Sequence, residues 1–151
     1  MKVSEQMQKE PPTTGREATV GDVARAMTEK GTMHVVIVDA EGAVLGIVTA
    51  ADLIAKHARL HFPTYFSLLG FSFPFEPKRD EREIEQALAA TAGDLMSTDL
   101  VTVGPDSDVD DAATLMLDNE VSCLPVVDGG KLVGTIDESD IVRLLVVEES
   151  A

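Results

Sequence analysis

The sequence contains one motif twice, and this internal repeat constrains the fold more than any other feature. With Met7 aligned to Met96, these pairs are identical without a gap: Met7/Met96, Thr13/Thr102, Gly15/Gly104, Val20/Val109, Asp22/Asp111, Ala24/Ala113, Met27/Met116, Val38/Val127 and Asp39/Asp128. After one residue is dropped in the next turn, Gly42/Gly130, Gly46/Gly134 and Asp52/Asp140 coincide. A register kept through helix-like and strand-like stretches predicts two copies of one structural unit, packed together around a pseudo-twofold cleft.

The length of the chain favours pairing of the two copies. At 151 residues the chain is one compact unit or two small ones. A lone copy of about 50 residues would bury too little surface to be comfortably stable. Hydrophobic residues make up 44% of the sequence, which supports a core shared by the two copies.

The net charge limits the partners that the chain can have. There are 27 acidic residues against 12 Lys and Arg, and the resulting charge of −15 repels nucleic acid and anionic membrane surfaces. The single Cys123 excludes an internal disulfide, and the N-terminal MKVSEQMQKEPP lacks the apolar core of a signal peptide. We therefore expect a cytoplasmic protein without a nucleic-acid or membrane partner.

Local patterns predict the order β-α-β-β-α in each copy, and hence an α+β fold with helices on small sheets. In the first copy we expect an extended segment at 12–14, a helix that is capped by Thr19 and ends at Gly31, strands at 34–38 and 43–48, and a helix from Thr49 carrying Leu53 and Ile54. In the second we expect an extended segment at 101–103, a helix capped by Asp108, strands at 124–127 and 131–136, and a last helix carrying Ile141, Val142, Leu144 and Leu145. Helical spacing predicts buried faces formed by Val20, Val23, Ala24 and Met27, and by Val109, Ala112, Ala113 and Met116.

An aromatic segment separates the two copies. Residues 60–75 read LHFPTYFSLLGFSFPF and contain every Phe and the only Tyr of the chain, and a charged stretch at 78–86 follows as a solvated helix. The segment is too short for a membrane span, which needs about 20 apolar residues. Three interpretations are open: packing on its own core, a homodimer interface, or docking of a partner protein. The homodimer interpretation places these residues in the interface: Phe62, Tyr65, Phe66, Leu69, Phe71 and Phe73.

Short motifs in both copies carry a family resemblance. The first copy has GIVTAAD at 46–52, and the second has CLPVVD at 123–128 followed by GTIDESD at 134–140. Their order and period resemble the CBS domain, which occurs in tandem pairs called Bateman modules, and DLMSTDLVTV at 94–103 looks like the usual opening of such a domain. The resemblance implies CBS repeats at 1–59 and 92–151, packed with pseudo-twofold symmetry and separated at 60–91 by the aromatic segment and a charged linker helix.

The resemblance also implies a ligand, because similar modules bind AMP, ADP, ATP, NADH or S-adenosylmethionine. Thr49 and Asp52 match the family's binding motif. A carboxylate can accept hydrogen bonds from both ribose hydroxyls, and a hydroxyl at a helix N-terminus can donate to phosphate. The same Thr-x-x-Asp spacing is also a helix cap that needs no ligand. We expect a binding site at these two residues.

The second copy departs from this motif. Asp140 stands at the position of the ribose-binding acid, but Asp137 replaces the hydroxyl residue. A phosphate there would meet a carboxylate, and like charges at close range repel each other. We expect this site to be empty or to suit a ligand without a phosphate at that place, such as adenosine or S-adenosylmethionine.

Other candidate residues are assigned through the same resemblance. In related modules Thr13 and Thr102 would contact the adenine or its ribose, although both also suit an ordinary strand. His34, at the place equivalent to Cys123, would reach a phosphate if protonated, or lie buried and neutral. His34 and Cys123 lack an orienting third group, so we expect no catalytic site. His57 and His61 lack a third ligand, so we expect no metal site.

Two functional hypotheses follow. The favoured one is a stand-alone regulatory module, a homodimer that binds an adenosine-containing metabolite between its repeats and relays this to an unknown effector protein. The alternative is a structural protein–protein interaction module whose ligand sites are vestigial. Neither hypothesis requires enzymatic activity or a cofactor other than the sensed ligand.

Overall fold

The computed structural model describes residues 1–61, 64–68, 71–75 and 90–151, and it has the mixed α+β architecture predicted from the sequence. In chain order the elements are α1 (Val3–Gln6), β1 (Thr13–Thr14), α2 (Val20–Lys30), β2 (His34–Val38), β3 (Val44–Thr49), α3 (Ala50–His61), β4 (Thr64–Leu68), β5 (Phe71–Phe75), α4 (Ala92–Leu95), α5 (Val109–Asn119), β6 (Cys123–Asp128), β7 (Lys131–Asp137) and α6 (Glu138–Ser150). The short helices α1 and α4, one at the start of each repeat, were not predicted.

The helix α2 begins and ends where the sequence predicts. The hydroxyl of Thr19 accepts a hydrogen bond from the Asp22 amide at 3.1 Å, and the Asp22 carboxylate accepts one from the Thr19 amide at 3.1 Å. The helix stops at Gly31, whose φ of 63° is a left-handed conformation that glycine adopts without steric strain. Its buried face is narrower than predicted, because only Val23 and Met27 are fully buried.

The sheets of the two units have an irregularity of register at the same place. In the first unit β1 runs parallel to β2, and β2 runs antiparallel to β3. In the second unit β6 runs antiparallel to β7, and the register of both antiparallel pairs shifts at the same place, after Ile37 and after its counterpart Val126. The predicted extended segment at 101–103 is reduced to one parallel bridge between Val103 and Val126. The units are therefore two copies of one structure, as the repeat predicts.

Each unit completes its core with a helix from the other repeat. Val3 of α1 is buried in the core of the second unit beside Leu124. Ala92 of α4 is buried in the core of the first unit beside Val23 and Ile37. The predicted boundaries at 1–59 and 92–151 follow the repeat of the sequence. The packed units are different, because each contains the first segment of the other repeat.

The exchanged segments are held by backbone pairing and by methionines that lie on glycines. Ser97 pairs with Ile47 of β3 through hydrogen bonds of 2.9 and 3.2 Å, and Gln8 pairs in the same way with Thr135 of β7. A Cβ atom added to Gly46 would lie 2.6 Å from the Met96 sulfur, and one on Gly134 would lie 2.7 Å from the Met7 sulfur. These contacts explain why both pairs, Met7/Met96 and Gly46/Gly134, are identical in the repeat.

The last helix of each repeat exposes some of the apolar side chains that the sequence predicts it to carry. Among the apolar side chains of α6, Leu144 is buried, whereas Val142 and Leu145 are 60% and 61% exposed. On α3, Ile54 is 67% exposed. In the described part of the chain, no helix has the length and hydropathy needed to cross a membrane.

The aromatic segment contains a β-hairpin that the sequence analysis did not predict. Strand β4 runs antiparallel to β5, with Phe66 opposite Phe73. The proposed interface residues on these strands are Tyr65, Phe66, Phe71 and Phe73. Phe62, Leu69 and the charged stretch at 78–86 lie outside the described residues, and the interface role stays a prediction.

Candidate ligand-binding clefts

Two cavities lie where the units meet, one at each repeated motif. The first has a volume of about 800 Å³ and contains Thr49 and Asp52 in its walls. The second has a volume of about 640 Å³ and contains Asp137 and Asp140. Glu138 lines both, as does Ser122, whose carbonyl accepts a 3.1 Å hydrogen bond from the Glu138 amide. The two cavities are therefore neighbours with a common wall.

The first cavity joins the Thr49 motif to the second repeat. Its apolar walls include Ile47 from the first unit and these residues from the second repeat and its leading segment: Leu100, Val101, Met116, Pro125 and Ile141. The charged side chains among the described lining residues are all carboxylates: Asp52, Asp99, Glu120 and Glu138. Ligand pockets are typically apolar with a few placed polar groups, and this cavity fits that description.

Thr49 and Asp52 form both the cap of α3 and a polar edge of the first cavity. The Asp52 Oδ2 atom accepts hydrogen bonds from the Thr49 amide at 2.8 Å and from the Thr49 hydroxyl at 3.1 Å. The Thr49 hydroxyl in turn accepts one from the Asp52 amide at 3.4 Å. The other carboxylate oxygen, Oδ1, has no hydrogen-bond partner within the described residues. One oxygen therefore closes the cap while the other can accept from a ligand hydroxyl.

Asp137 and Asp140 repeat this cap at the start of α6 with a carboxylate in place of the hydroxyl. The Asp137 amide donates to Asp140 Oδ2 at 3.0 Å, and the Asp140 amide donates to Asp137 Oδ1 at 3.0 Å. Asp137 Oδ1 also accepts a 2.6 Å hydrogen bond from the Ser139 hydroxyl, and Arg143 donates to Asp140 Oδ1 at 3.2 Å. The helix is capped as predicted, and the Arg143 side chain engages Asp140.

Burial and hydrogen bonds shift the pKa values of these two acids in opposite directions. Burial raises the pKa of Asp140, and this outweighs the hydrogen bond that its carboxylate accepts from the Asp137 amide. Burial also acts to raise the pKa of Asp137, but hydrogen bonds from Ser139 and the Asp140 amide outweigh it, so its pKa lies below the usual value. Asp137 is therefore the more firmly ionised of the pair.

His34 faces these acids from the first unit. The residue is only 4% exposed, and its Nε2 atom lies 3.6 Å from Asp137 Oδ2, which is too long for a hydrogen bond. Within the described residues, Nε2 has no hydrogen-bond partner. Burial lowers the pKa of His34, and the nearby charges of Asp137 and Asp140 only partly oppose this effect. The imidazole is therefore buried and neutral at neutral pH.

Three further residues that the sequence singled out are Thr13, Thr102 and Cys123. Thr13 and Thr102 are both exposed, and neither belongs to the described walls of the two cavities. Cys123 lines the first cavity and is 4% exposed, and burial raises the pKa of its thiol far above the usual value. It is a small core residue with a protonated thiol.

Sequence reasoning missed the segments that lead into each repeat. Gln6, Met7 and Gln8 line the second cavity, and residues 97 and 99–101 line the first. The identity of Met7 and Met96 was the available signal, since both methionines sit in these segments. Each cavity is thus built from the motif of one repeat and the leading segment of the other.

Comparisons with known proteins agree on one family. The model of the CBS domain matches residues 3–59 and 92–147. The chain is 31% identical over 130 residues to a CBS domain-containing protein of Dictyostelium discoideum, covering 85% of this chain and 80% of that protein. It is also 31% identical over 127 residues to a Methanopyrus kandleri protein, of which it spans about half, 53%. A homoserine O-acetyltransferase of Methanococcoides burtonii matches at 28% identity, but the match covers only 24% of that protein.

Solved structures share the fold over nearly the whole chain. A Vibrio cholerae protein assigned to acetoin utilization (AcuB) is 29% identical with a TM-score of 0.73, and the match covers 100% of this chain and 97% of that one. The CBS domain pair of MJ0100, solved with 5′-methylthioadenosine and S-adenosyl-L-methionine, is 23% identical with a TM-score of 0.76 and 98% coverage of both chains. CBSX2, solved with AMP, is 23% identical with a TM-score of 0.73 and 98% coverage of both chains. At 23% identity, the last two similarities establish the fold alone.

Proposed function

Since this chain belongs to the CBS domain family, we propose that it is a regulatory module that binds an adenosine-containing small molecule between its two repeats. The observation that carries the proposal is the first cavity, which places Thr49 and Asp52 of one repeat against the apolar walls of the other. A ligand held there contacts both repeats at once. Its affinity therefore depends on how the repeats are arranged, and binding shifts the population of arrangements.

The described atoms suit the parts of a nucleoside. Asp52 Oδ1 is available to accept a hydrogen bond from a ribose hydroxyl, because Oδ2 already closes the helix cap. The apolar side chains of Ile47, Val101 and Pro125 offer flat packing surface for a purine ring. The complexes of related pairs with AMP, 5′-methylthioadenosine and S-adenosyl-L-methionine support an adenosine-containing ligand as the class.

The output of the module is proposed to be a protein contact. Exposed apolar side chains on α6, namely Val142, Leu145, Val146 and Val147, provide surface for association. Val142 also lines the first cavity, so this surface adjoins the ligand. Binding could in this way be relayed to a second copy of the chain or to an effector protein. The aromatic hairpin is the other proposed contact surface for a homodimer.

A structural interaction module is the second candidate. The carboxylates that line the first cavity favour this second candidate, because they repel the phosphate groups of common nucleotides. Asp137 in the second motif acts in the same direction. In this case nucleotides would have no effect, and association through the exposed apolar surfaces would be the whole function.

A thermal-stability panel separates the two candidates. The nucleotide-stripped protein is heated with AMP, ADP, ATP, NADH, 5′-methylthioadenosine or S-adenosylmethionine, each with and without Mg²⁺. A ligand at about 100 times its Kd stabilises the folded state by about 2.7 kcal/mol, which raises the Tm by several degrees. The regulatory proposal predicts such a rise with at least one adenosine compound, whereas an unchanged Tm with all six supports the interaction module.

A further inference from the structure

We propose that the second cavity takes the positively charged group of an organic ligand, held between His34 and Asp137, and that it rejects phosphate. The inference deepens the proposed function and rests on it, because it specifies the charge of the adenosine-containing molecule that this half of the cleft accepts. It assigns a selective role to Asp137, the residue at which the second motif differs from the first.

Two polar atoms of this cavity, His34 Nε2 and Asp137 Oδ2, lack a hydrogen-bond partner within the described residues. Asp137 Oδ1 is fully used by the Ser139 hydroxyl and the Asp140 amide, whereas Oδ2 has no hydrogen-bond partner within the described residues. Nε2 of the buried His34 also has none, and the two atoms are 3.6 Å apart. We infer that the neutral imidazole carries its proton on Nδ1 when the ligand is bound, which makes Nε2 an acceptor. A buried acceptor that lacks a donor is costly, and this applies to Nε2, whereas the Asp137 side chain is 21% exposed. A cation or N–H donor beside both atoms would satisfy them.

The negative charge of the cavity walls also favours a positively charged ligand group. Asp137, Glu138 and Asp140 contribute three carboxylates, and Arg143 is the one Lys or Arg among the described lining residues. The Arg143 guanidinium is committed to Asp140 at 3.2 Å, and its side chain is 67% exposed. His34 adds no positive charge, because burial lowers its pKa. The field inside the cavity therefore attracts cations and repels phosphate.

The size of the cavity indicates an organic cation rather than a bare metal ion. A volume of about 640 Å³ is in the range of small-molecule pockets, about 300–1,000 Å³. The described residues contain no group of three His, Cys, Asp or Glu side chains that could hold a metal ion. Gln6 and Ser139 add neutral polar groups to the walls, which suit the uncharged part of such a molecule.

A matched pair of ligands tests the charge directly. S-adenosylmethionine and S-adenosylhomocysteine differ by one methyl group and by the positive charge on sulfur. Both are titrated by calorimetry into the Asp52→Asn variant of the full chain, in which the first cavity is weakened. We expect S-adenosylmethionine to bind at least about tenfold more tightly, as a charge interaction in a partly buried site would give.

Two substitutions at one position complete the test. Asp137→Asn keeps the cap, because Asn and Asp cap helices equally well. We expect it to reduce the preference for S-adenosylmethionine over S-adenosylhomocysteine to below about twofold. Asp137→Thr restores the hydroxyl of the first motif and is expected to strengthen AMP binding at least about fivefold. Thermal melts of both variants, compared with the Asp52→Asn protein, verify that the fold is intact.

The outcomes distinguish this inference from the proposed function. Equal affinity for the two sulfur compounds, or a preference that survives Asp137→Asn, overturns the inference while adenosine binding by the wild-type chain stands. Failure of every adenosine compound to bind the wild-type chain removes the proposed function itself, and the inference with it.

Discussion

At the scale of single residues, two helix caps with the same geometry present different chemistry to two cavities. Asp52 pairs with a threonine hydroxyl and keeps one oxygen available, whereas Asp140 pairs with a second carboxylate, Asp137. The buried His34 stands beside that second pair at 3.6 Å without a hydrogen bond. A single difference, Thr against Asp, thus places a second carboxylate beside His34 in the second cavity.

The buried His34 should make the protein less stable as the pH falls below 6.5. Its pKa is lowered from the usual 6.5 in the folded state, so in mild acid the unfolded chain takes up a proton that the folded chain does not. This stability is fully present above pH 6.5 and is lost below it, with a slope of at most about 1.4 kcal/mol per pH unit. Urea unfolding at pH 7.5, 6.5 and 5.5 measures the loss.

The His34→Asn variant is the control for this pH dependence. Asp137, Asp140, Glu138 and Arg143 face the same cavity and remain in the variant. The raised pKa of Asp140 has the opposite effect on stability. As the pH falls, the folded chain binds a proton at Asp140 before the unfolded chain does, and so gains stability. We expect a shallower pH dependence in His34→Asn than in the wild type. Parallel curves would show that His34 is not the group responsible.

At the scale of elements, the fold depends on segments exchanged between the repeats. The glycines Gly46 and Gly134 let Met96 and Met7 approach the strands β3 and β7. Nearby backbone oxygens, of Ser97 and Gln8, lie 2.8 Å from where a Cβ would be, so the neighbours cannot all move away. These glycines are required for a close approach rather than for a special backbone angle.

Alanine at either glycine should destabilise the protein. We expect Gly46→Ala and Gly134→Ala each to lower the free energy of unfolding by about 1–3 kcal/mol, the usual effect of overpacking. The control is Gly104→Ala, because a Cβ there would meet only the Ser107 hydroxyl at an ordinary 3.7 Å. That control should stay within about 0.5 kcal/mol of the wild type in chemical denaturation. A loss at Gly104 equal to that at Gly46 would contradict the packing argument.

The elements that the sequence predicted well are those set by local chemistry. Thr19 with Asp22 and the left-handed Gly31 define the ends of α2, and hydrophobic spacing identifies Val23 and Met27 as buried. The exchange of α1 and α4 was not predictable in this way, because it depends on contacts between distant segments. The approach of His34 to Asp137 is also a long-range contact, and no local pattern encodes it. The predicted binding residues were also only partly correct. The motif residues line the described walls of the cavities, whereas Thr13 and Thr102 do not.

At the scale of the whole molecule, the two cavities share a wall. Each takes walls from both repeats, and they meet at Ser122 and Glu138. Under the proposed function, we therefore expect a ligand that repositions the repeats in one cavity to change the shape of the other, and linkage requires this effect to be mutual. The net charge of −15 adds repulsion throughout the molecule, which a compact fold must overcome.

Salt should therefore stabilise the protein. Screening of the acidic side chains between 0.05 and 0.5 M NaCl is expected to raise the Tm at pH 7.5 by about 2–4 °C, the shift that about 1 kcal/mol produces. The same series near pH 4.3, the sequence pI, is the control, since the net charge there is small. The rise should shrink in that control. A Tm that falls with salt at pH 7.5 would contradict net repulsion.

The most direct test of the central claim is calorimetric titration of an adenosine compound into the wild type, Asp52→Ala and Asp22→Ala. Asp22 closes the cap of α2 as Asp52 closes that of α3, but it lies outside the walls of both cavities, so its variant controls for loss of a cap. We predict micromolar binding to the wild type and to Asp22→Ala, and affinity weakened at least about tenfold in Asp52→Ala. Equal affinity in all three proteins would contradict a ligand site at Thr49 and Asp52.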